Sequence, residues 1–145
     1  MKKNICLVVA NYYPEISRSL IAAASKILKS QGIKNYKILK VPGVFEIPYV
    51  ISKNINKYDG FIALGCVIKG QTPHFKFIST STINAIMHLS ITNKKPISNG
   101  IITCLNKKQA AERADRTKKN KGGEAARAVL SVLGGFKGET TQWST

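Results

Sequence analysis

The sequence predicts an α/β fold of three layers, with a four-stranded parallel sheet and helices on both faces. Three observations carry that reading. The runs NICLVVA (4–10) and FIALGCVI (61–68) are apolar throughout, which suits strands buried on both sides in the middle of a parallel sheet. Between such runs lie longer stretches with apolar residues at helical spacing. The order is strand–helix four times with one further helix at the end, and right-handed crossovers turn that order into a parallel sheet with two covered faces.

The first strand, residues 4–10, gives way to Pro14, placed where a helix can start. Ile16, Leu20, Ile21, Ala24, Ile27 and Leu28 then recur at helical spacing until Gly32 ends the pattern. YKILKV (36–41) alternates like a strand and stops at Pro42-Gly43. A helix is predicted from Val44 to Asn56, with Pro48 in its first turns, where a missing N–H is best tolerated. The strand at 61–68 leads to a long helix from Pro73 to Thr92, carrying Phe77, Ile78, Ile83, Ile86, Met87 and Leu89. Pro96 introduces the fourth strand, ISNGIITCL (97–105). Helix is predicted again over 106–118, then a break at Lys121-Gly122-Gly123, then a last helix to Leu133. The whole describes a flavodoxin-like domain over residues 1–138, with no internal repeat or linker. Residues 139–145 read as a C-terminal tail that Trp143 could anchor.

At 145 residues the chain can bury about 70% of its unfolded surface in one core. A hydrophobic fraction of 43% argues against disorder. No apolar run approaches the roughly 20 residues that a membrane span needs. The basic tip and short apolar run of MKKNICLVVANYYP have the outline of a signal peptide, but no convincing cleavage site follows. The run therefore reads as a strand and the protein as cytoplasmic. Cys6, Cys66 and Cys104 are odd in number, far apart and without CxxC spacing, which argues for three buried small hydrophobes over a disulfide framework or a metal site. The unusual total is charge: 23 basic residues against 7 acidic, a net +16. Such an excess attracts phosphates, nucleic acid or a membrane surface. The lysines are scattered, however, apart from a cluster between Lys107 and Lys121, and a general richness in Lys, Ile and Asn accounts for them equally well. Charge selects no function here.

In folds of this kind ligands bind beyond the carboxyl ends of the strands. The segments leaving those ends are NYYPEIS, VPGVFEIP, GCVIKGQTPHF and TCLNKK. In GCVIKGQTPHF, Gly70 permits a turn that other residues resist, and the amides of Gly70-Gln71-Thr72 can face an anion at the start of the next helix. Thr72 adds a hydroxyl, Pro73 suits the first helical position, and His74 stands close enough to exchange protons with whatever the amides hold. The plainer alternative is an ordinary strand-to-helix turn with Thr72 as its cap. In VPGVFEIP, backbone groups near Val44 and Phe45 can meet a planar ligand while Glu46 accepts hydrogen bonds. Alternatively Phe45 is core and Glu46 complements a helix dipole. Tyr12 and Tyr13 leave the first strand, where an aromatic either stacks on a heterocycle or packs. Arg113 could hold a phosphate in its fork, and Lys121 before two glycines could reach a ligand; a solvated basic face explains both as well. His88 reads as a surface helical histidine. The sequence has no P-loop, no dinucleotide-binding glycine motif, no metal-ligand spacing and no Ser–His–Asp arrangement.

Taken together, VPGVFEIP, GCVIKGQTPHF and the AAERA…NKGGEAA run resemble the 6,7-dimethyl-8-ribityllumazine synthase family, in order and at compatible spacing from Ile5 to about Leu133. The resemblance implies condensation of 5-amino-6-ribitylaminouracil with 3,4-dihydroxy-2-butanone 4-phosphate, the penultimate step of riboflavin biosynthesis, with loss of phosphate and water and no cofactor or metal. It implies sites shared between neighbouring subunits of a pentamer. By motif position, Tyr12 stacks on the pyrimidine; Val44, Phe45 and Glu46 contact the ring and ribityl chain; and Cys66, Val67 and Ile68 line the strand exit beside them. Gln71 and Thr72 fall on the phosphate loop, His74 on the proton-transfer histidine, Arg113 on the phosphate-binding arginine, and Lys121 on a lysine near the pyrimidine. Arg113 and Lys121 are expected to come from the adjacent subunit.

Three departures qualify the likeness. Asn99 stands where the family usually has a large apolar residue, often Phe, against the substrate ring. Residues 115–119 (Asp-Arg-Thr-Lys-Lys) replace a glycine-containing turn associated with 60-subunit shells. Little chain precedes the first strand, where shell-forming members usually carry another. These point to a pentamer or a pair of pentamers; the resemblance leaves riboflavin synthase open as a partner, and neither nucleic acid nor membrane is an expected one. The alternative function is a non-catalytic flavin- or lumazine-binding protein of the same fold, which the Asn99 change would permit.

Overall fold

The computed structural model describes residues 3–134. Its elements are β1 (Ile5–Ala10), α1 (Pro14–Ser30), β2 (Lys37–Val41), a 3₁₀ turn (Val44–Glu46), α2 (Ile47–Lys53), β3 (Gly60–Ile68), α3 (His74–Asn93), β4 (Ile97–Cys104), α4 (Lys107–Ala114) and α5 (Lys121–Val132). The strands form one sheet in the order β2-β1-β3-β4, every pair parallel. The apolar runs occupy the two central positions, and the lysine-bearing β2 lies at an edge, its Lys37 and Lys40 exposed. The expected tail at 139–145, with Trp143, lies outside the described residues.

Alternate side chains of the sheet feed two cores. Ile5, Leu7, Val9, Ile62, Leu64 and Ile102 pack with α1, α4 and α5. Cys6, Val8, Phe61, Ala63 and Ile101 pack with α2 and α3. Each fully buried Leu or Ile contributes on the order of 1.5–3 kcal/mol, so most of the fold's stability lies in these two layers. All three cysteines are buried and unpaired.

Four local expectations are corrected. The helix expected from Val44 begins as a 3₁₀ turn, because the Glu46 carboxylate accepts from Gly43 N–H (2.9 Å) and draws the chain tight. It also ends at Lys53 rather than Asn56, where the Asn54 side chain donates to Val50 O (2.7 Å). Pro73 is the residue before α3, not its first turn. The break expected at Lys121-Gly122-Gly123 falls instead over 115–120. There the Asp115 carboxylate accepts from Thr117 N–H (2.8 Å) and its hydroxyl (2.7 Å), while Asn120, at φ 49°, caps the amide of Gly123 (3.2 Å). Both glycines are helical, and a close approach explains the first: a Cβ on Gly122 would lie 2.5 Å from the backbone oxygen of Leu20. That contact lets α5 seat directly on α1. Long α3 differs too. Of its apolar residues only Ile86 is buried, while Phe77, Met87 and Ile91 are exposed, because the helix rests on the sheet along a narrow line.

Since the atom facing Gly122 is backbone, it cannot swing aside. Gly122→Ala should destabilise the protein by about 1–3 kcal/mol, seen as a lower urea midpoint. An unchanged midpoint would contradict the close packing of α5 on α1.

Candidate active site

The strand order reverses between β1 and β3, since β2 lies to one side of β1 and β3–β4 to the other. A cleft of about 630 Å³ opens at that point, beyond the carboxyl ends of β1, β2 and β3. Three tethers hold its walls. Asn11 N–H donates to Val41 O (2.8 Å), tying the exit of β1 to that of β2. The buried Ser17 hydroxyl lies 2.8 Å from Ala10 O and 3.0 Å from Tyr13 O, pinning the turn that carries the tyrosines. Val44 is folded over Gly65, where any Cβ would come within 2.8 Å of it, so the 44–46 turn lies flat on β3 and offers the cleft backbone more than side chain.

Tyr12 is 71% exposed, and its ring stands edge-on to Tyr13 at 4.9 Å between centroids, so one ring braces another that is free to stack. Phe45 is exposed as well, which rules out its role as core. Glu46 does both things expected of it: it lines the cleft and accepts from Gly43. Cys66, Val67, Ile68, Thr72 and His74 complete the predicted residues here. Gln71 is exposed but is not part of the wall. The 70–74 turn is plainer than expected. Gly70 has open space around it and a φ outside the left-handed region, so a side chain would fit there, and the Thr72 hydroxyl meets His74 N–H at a long 3.4 Å.

The other three predicted residues lie apart. Asn99, Arg113 and Lys121 line a second cleft of about 500 Å³ along β4, α4 and α5. No residue lines both clefts. Lys121 donates to Glu124 at 3.1 Å, and Glu124 lines this cleft too. It was not singled out from the sequence, although its place three residues after Lys121 on a helix is the signal that finds it. Among the described residues Arg113 makes no ion pair, leaving its fork for an anion. Ser98 contributes a buried hydroxyl without a partner.

Burial disfavours the thiolate form of the cysteines near the site. Burial pushes Cys66 up to about 12, and neighbouring Cys104 adds to the rise. Cys104 is raised by burial too, with Arg113 near enough to offset part of the effect. Among the described residues no three His, Cys, Asp or Glu side chains gather as a metal site would need, and no helix is long and apolar enough to cross a membrane. What the two clefts offer is a planar apolar wall with an imidazole on one side, and an unpaired guanidinium with a Lys–Glu couple on the other.

The sequence profile of 6,7-dimethyl-8-ribityllumazine synthase matches residues 2–136. The proteins of that name from Bartonella bacilliformis and Agrobacterium fabrum are 42% and 38% identical to this chain. The alignments cover 90% and 91% of this chain and 88% and 93% of those proteins. The one from Buchnera aphidicola subsp. Baizongia pistaciae is 44% identical over 91% of this chain and 86% of its own.

The turn that separates Arg113 from Lys121 depends on Asp115, whose carboxyl is held below the usual aspartate range by the hydrogen bonds from Thr117. A carboxyl depressed in the folded state stabilises only while ionised. Asp115→Ala should therefore lower the Tm slightly at neutral pH, and the gap should close as the pH falls from about 4 through the lower folded pKa. A gap that stays constant down to pH 2 would contradict this role.

Proposed function

The chain belongs to the 6,7-dimethyl-8-ribityllumazine synthase family, and on that premise we propose that its two clefts, contributed by neighbouring copies, together form one active site. The enzyme is a transferase of riboflavin biosynthesis that condenses 5-amino-6-ribitylaminouracil with 3,4-dihydroxy-2-butanone 4-phosphate, releasing phosphate and water. The observation that supports a shared site is the division of labour. The cleft with Tyr12 and Phe45 contains no Lys or Arg, and the cleft with Arg113 and Lys121 contains no aromatic ring. A planar heterocycle and a phosphate need both.

In this reading the pyrimidine stacks on Tyr12, with the backbone of Val44 and Phe45 at its edge, Cys66, Val67 and Ile68 beside it, and Glu46 toward the ribityl chain. Gln71, Thr72 and the neighbour's Arg113 hold the phosphate. The ring amine attacks the ketone, and the adduct loses water to give an imine; elimination of phosphate, ring closure and a second dehydration follow. Each step is a proton movement between positioned partners, which His74 serves on one side and Lys121 with Glu124 on the other. No side-chain nucleophile takes part, in keeping with thiols that stay neutral.

The partner that completes the site is a second copy of the chain, in a pentamer. The outward face of α3 supports this, since Phe77, Met87 and Ile91 stand exposed on a helix whose only lysine is Lys76. Three unpaired buried thiols suit work in the reducing cytoplasm. No observation favours the non-catalytic alternative.

Two measurements test the reading. His74→Ala should slow lumazine formation by about 10²-fold or more with assembly intact; an unchanged rate would remove His74 from the chemistry. Tyr12→Ala and Arg113→Ala proteins, each nearly inactive alone, should regain about a quarter of wild-type activity when dissociated and reassembled 1:1. Verified mixed oligomers with no recovery would show that each site lies within one chain.

A further inference from the structure

Two of the three cysteines are neighbours. Cys66 on β3 stands opposite Ile102, and Cys104 on β4 stands opposite Ile68, so the pair lies diagonally across adjacent strands. Both side chains enter the core that α1, α4 and α5 cover, and the two thiols share a hydrogen bond. Cys6 enters the opposite core and cannot join them. One strand across and two residues along is roughly 8 Å between Cα atoms, wider than a disulfide bridges without moving the backbone. The pair is therefore held close as thiols and kept apart as a disulfide.

Two sulfurs that meet without bonding suit a soft ion lying between them. Thiolates select copper(I), zinc and iron–sulfur clusters. The last two need about four ligands, and among the described residues no three His, Cys, Asp or Glu side chains gather. We propose that Cys66 and Cys104 form a two-coordinate site for copper(I), entered from the first cleft, whose wall Cys66 lines. Copper keeps its oxidation state on binding. Two neutral thiols and one Cu⁺ become a bis-thiolate of net charge −1, and both thiol protons pass to solvent. Burial opposes a charge at this place. Arg113, near enough to Cys104 to favour its thiolate, balances that charge. The ion then stands between the wall of one cleft and the cation of the other. The inference rests on where the sheet places the two thiols and needs no part of the shared-site reading.

Anaerobic titration of the reduced, assembled protein with copper(I), in competition with a chromogenic copper(I) chelator, tests the site. Wild type should take up about one ion per chain with proton release, and thiolate-to-copper absorption should rise in the near ultraviolet. Cys66→Ala and Cys104→Ala should each weaken uptake by about 100-fold or more, since a lost ligand costs no less than a lost supporting residue. Cys6→Ala should bind as wild type does. No uptake by wild type, or tight uptake that survives Cys66→Ala in assembled protein, would overturn the proposal. So would a loss confined to Cys6→Ala. If the fully buried Cys104→Ala fails to assemble, Cys66→Ala carries the test, because its side chain borders the cleft. Zinc(II) should bind far more weakly than copper(I), as two thiolates cannot fill its tetrahedron; zinc held equally tightly would show further ligands and overturn the two-coordinate site.

Discussion

The structure depends on covering both faces of β1 and β3. Neither strand carries a charged, amide or hydroxyl side chain, so neither tolerates water on either face. Covering them takes two helical layers, and two layers require crossover connections that leave from one end of the sheet. Polar chemistry is thereby expelled to that end. The cleft opens where the strand order reverses because two loops must part there. The site is a by-product of burying the core.

Close approaches then set the site's shape. Gly65 lets Val44 lie on β3, and Gly122 lets α5 lie on α1. The first presents backbone to the cleft, and the second brings the start of α5, with Lys121 and Glu124, beside β4. Neither glycine meets substrate in the proposed reading, yet both fix residues that do.

Much of this was legible in the sequence, and the misses share a cause. Uniformly apolar runs marked the central strands, and the segments leaving them named most of the cleft wall: Tyr12, Val44 to Glu46, Cys66 to Ile68 and His74. What local pattern could not reveal was long-range contact. Gly122-Gly123 read as a helix breaker because the Leu20 backbone that requires a small residue lies about a hundred residues away in sequence. The buried Ser17, which pins the tyrosine turn, looked like any helical serine. Phe77 and Met87 matched a core pattern on a helix that presents them outward. Charge located no site, as expected: most of the lysines of the described residues are exposed and spread over many elements, so the +16 total describes the surface more than the site.

The division of cations and rings between two clefts bears on how such a site can be regulated. Arg113 has no ion-pair partner among the described residues, and Lys121 is half-satisfied by Glu124. In one copy alone, the unpaired guanidinium faces solvent, where its attraction for an anion is weak. In the shared-site reading, seating a second copy's aromatic wall against it excludes water and strengthens the same charge without moving it. Assembly and activity are on that reading one equilibrium. In the shared-site reading, a residue that weakens the interface lowers the number of complete sites before it changes the chemistry of any one of them.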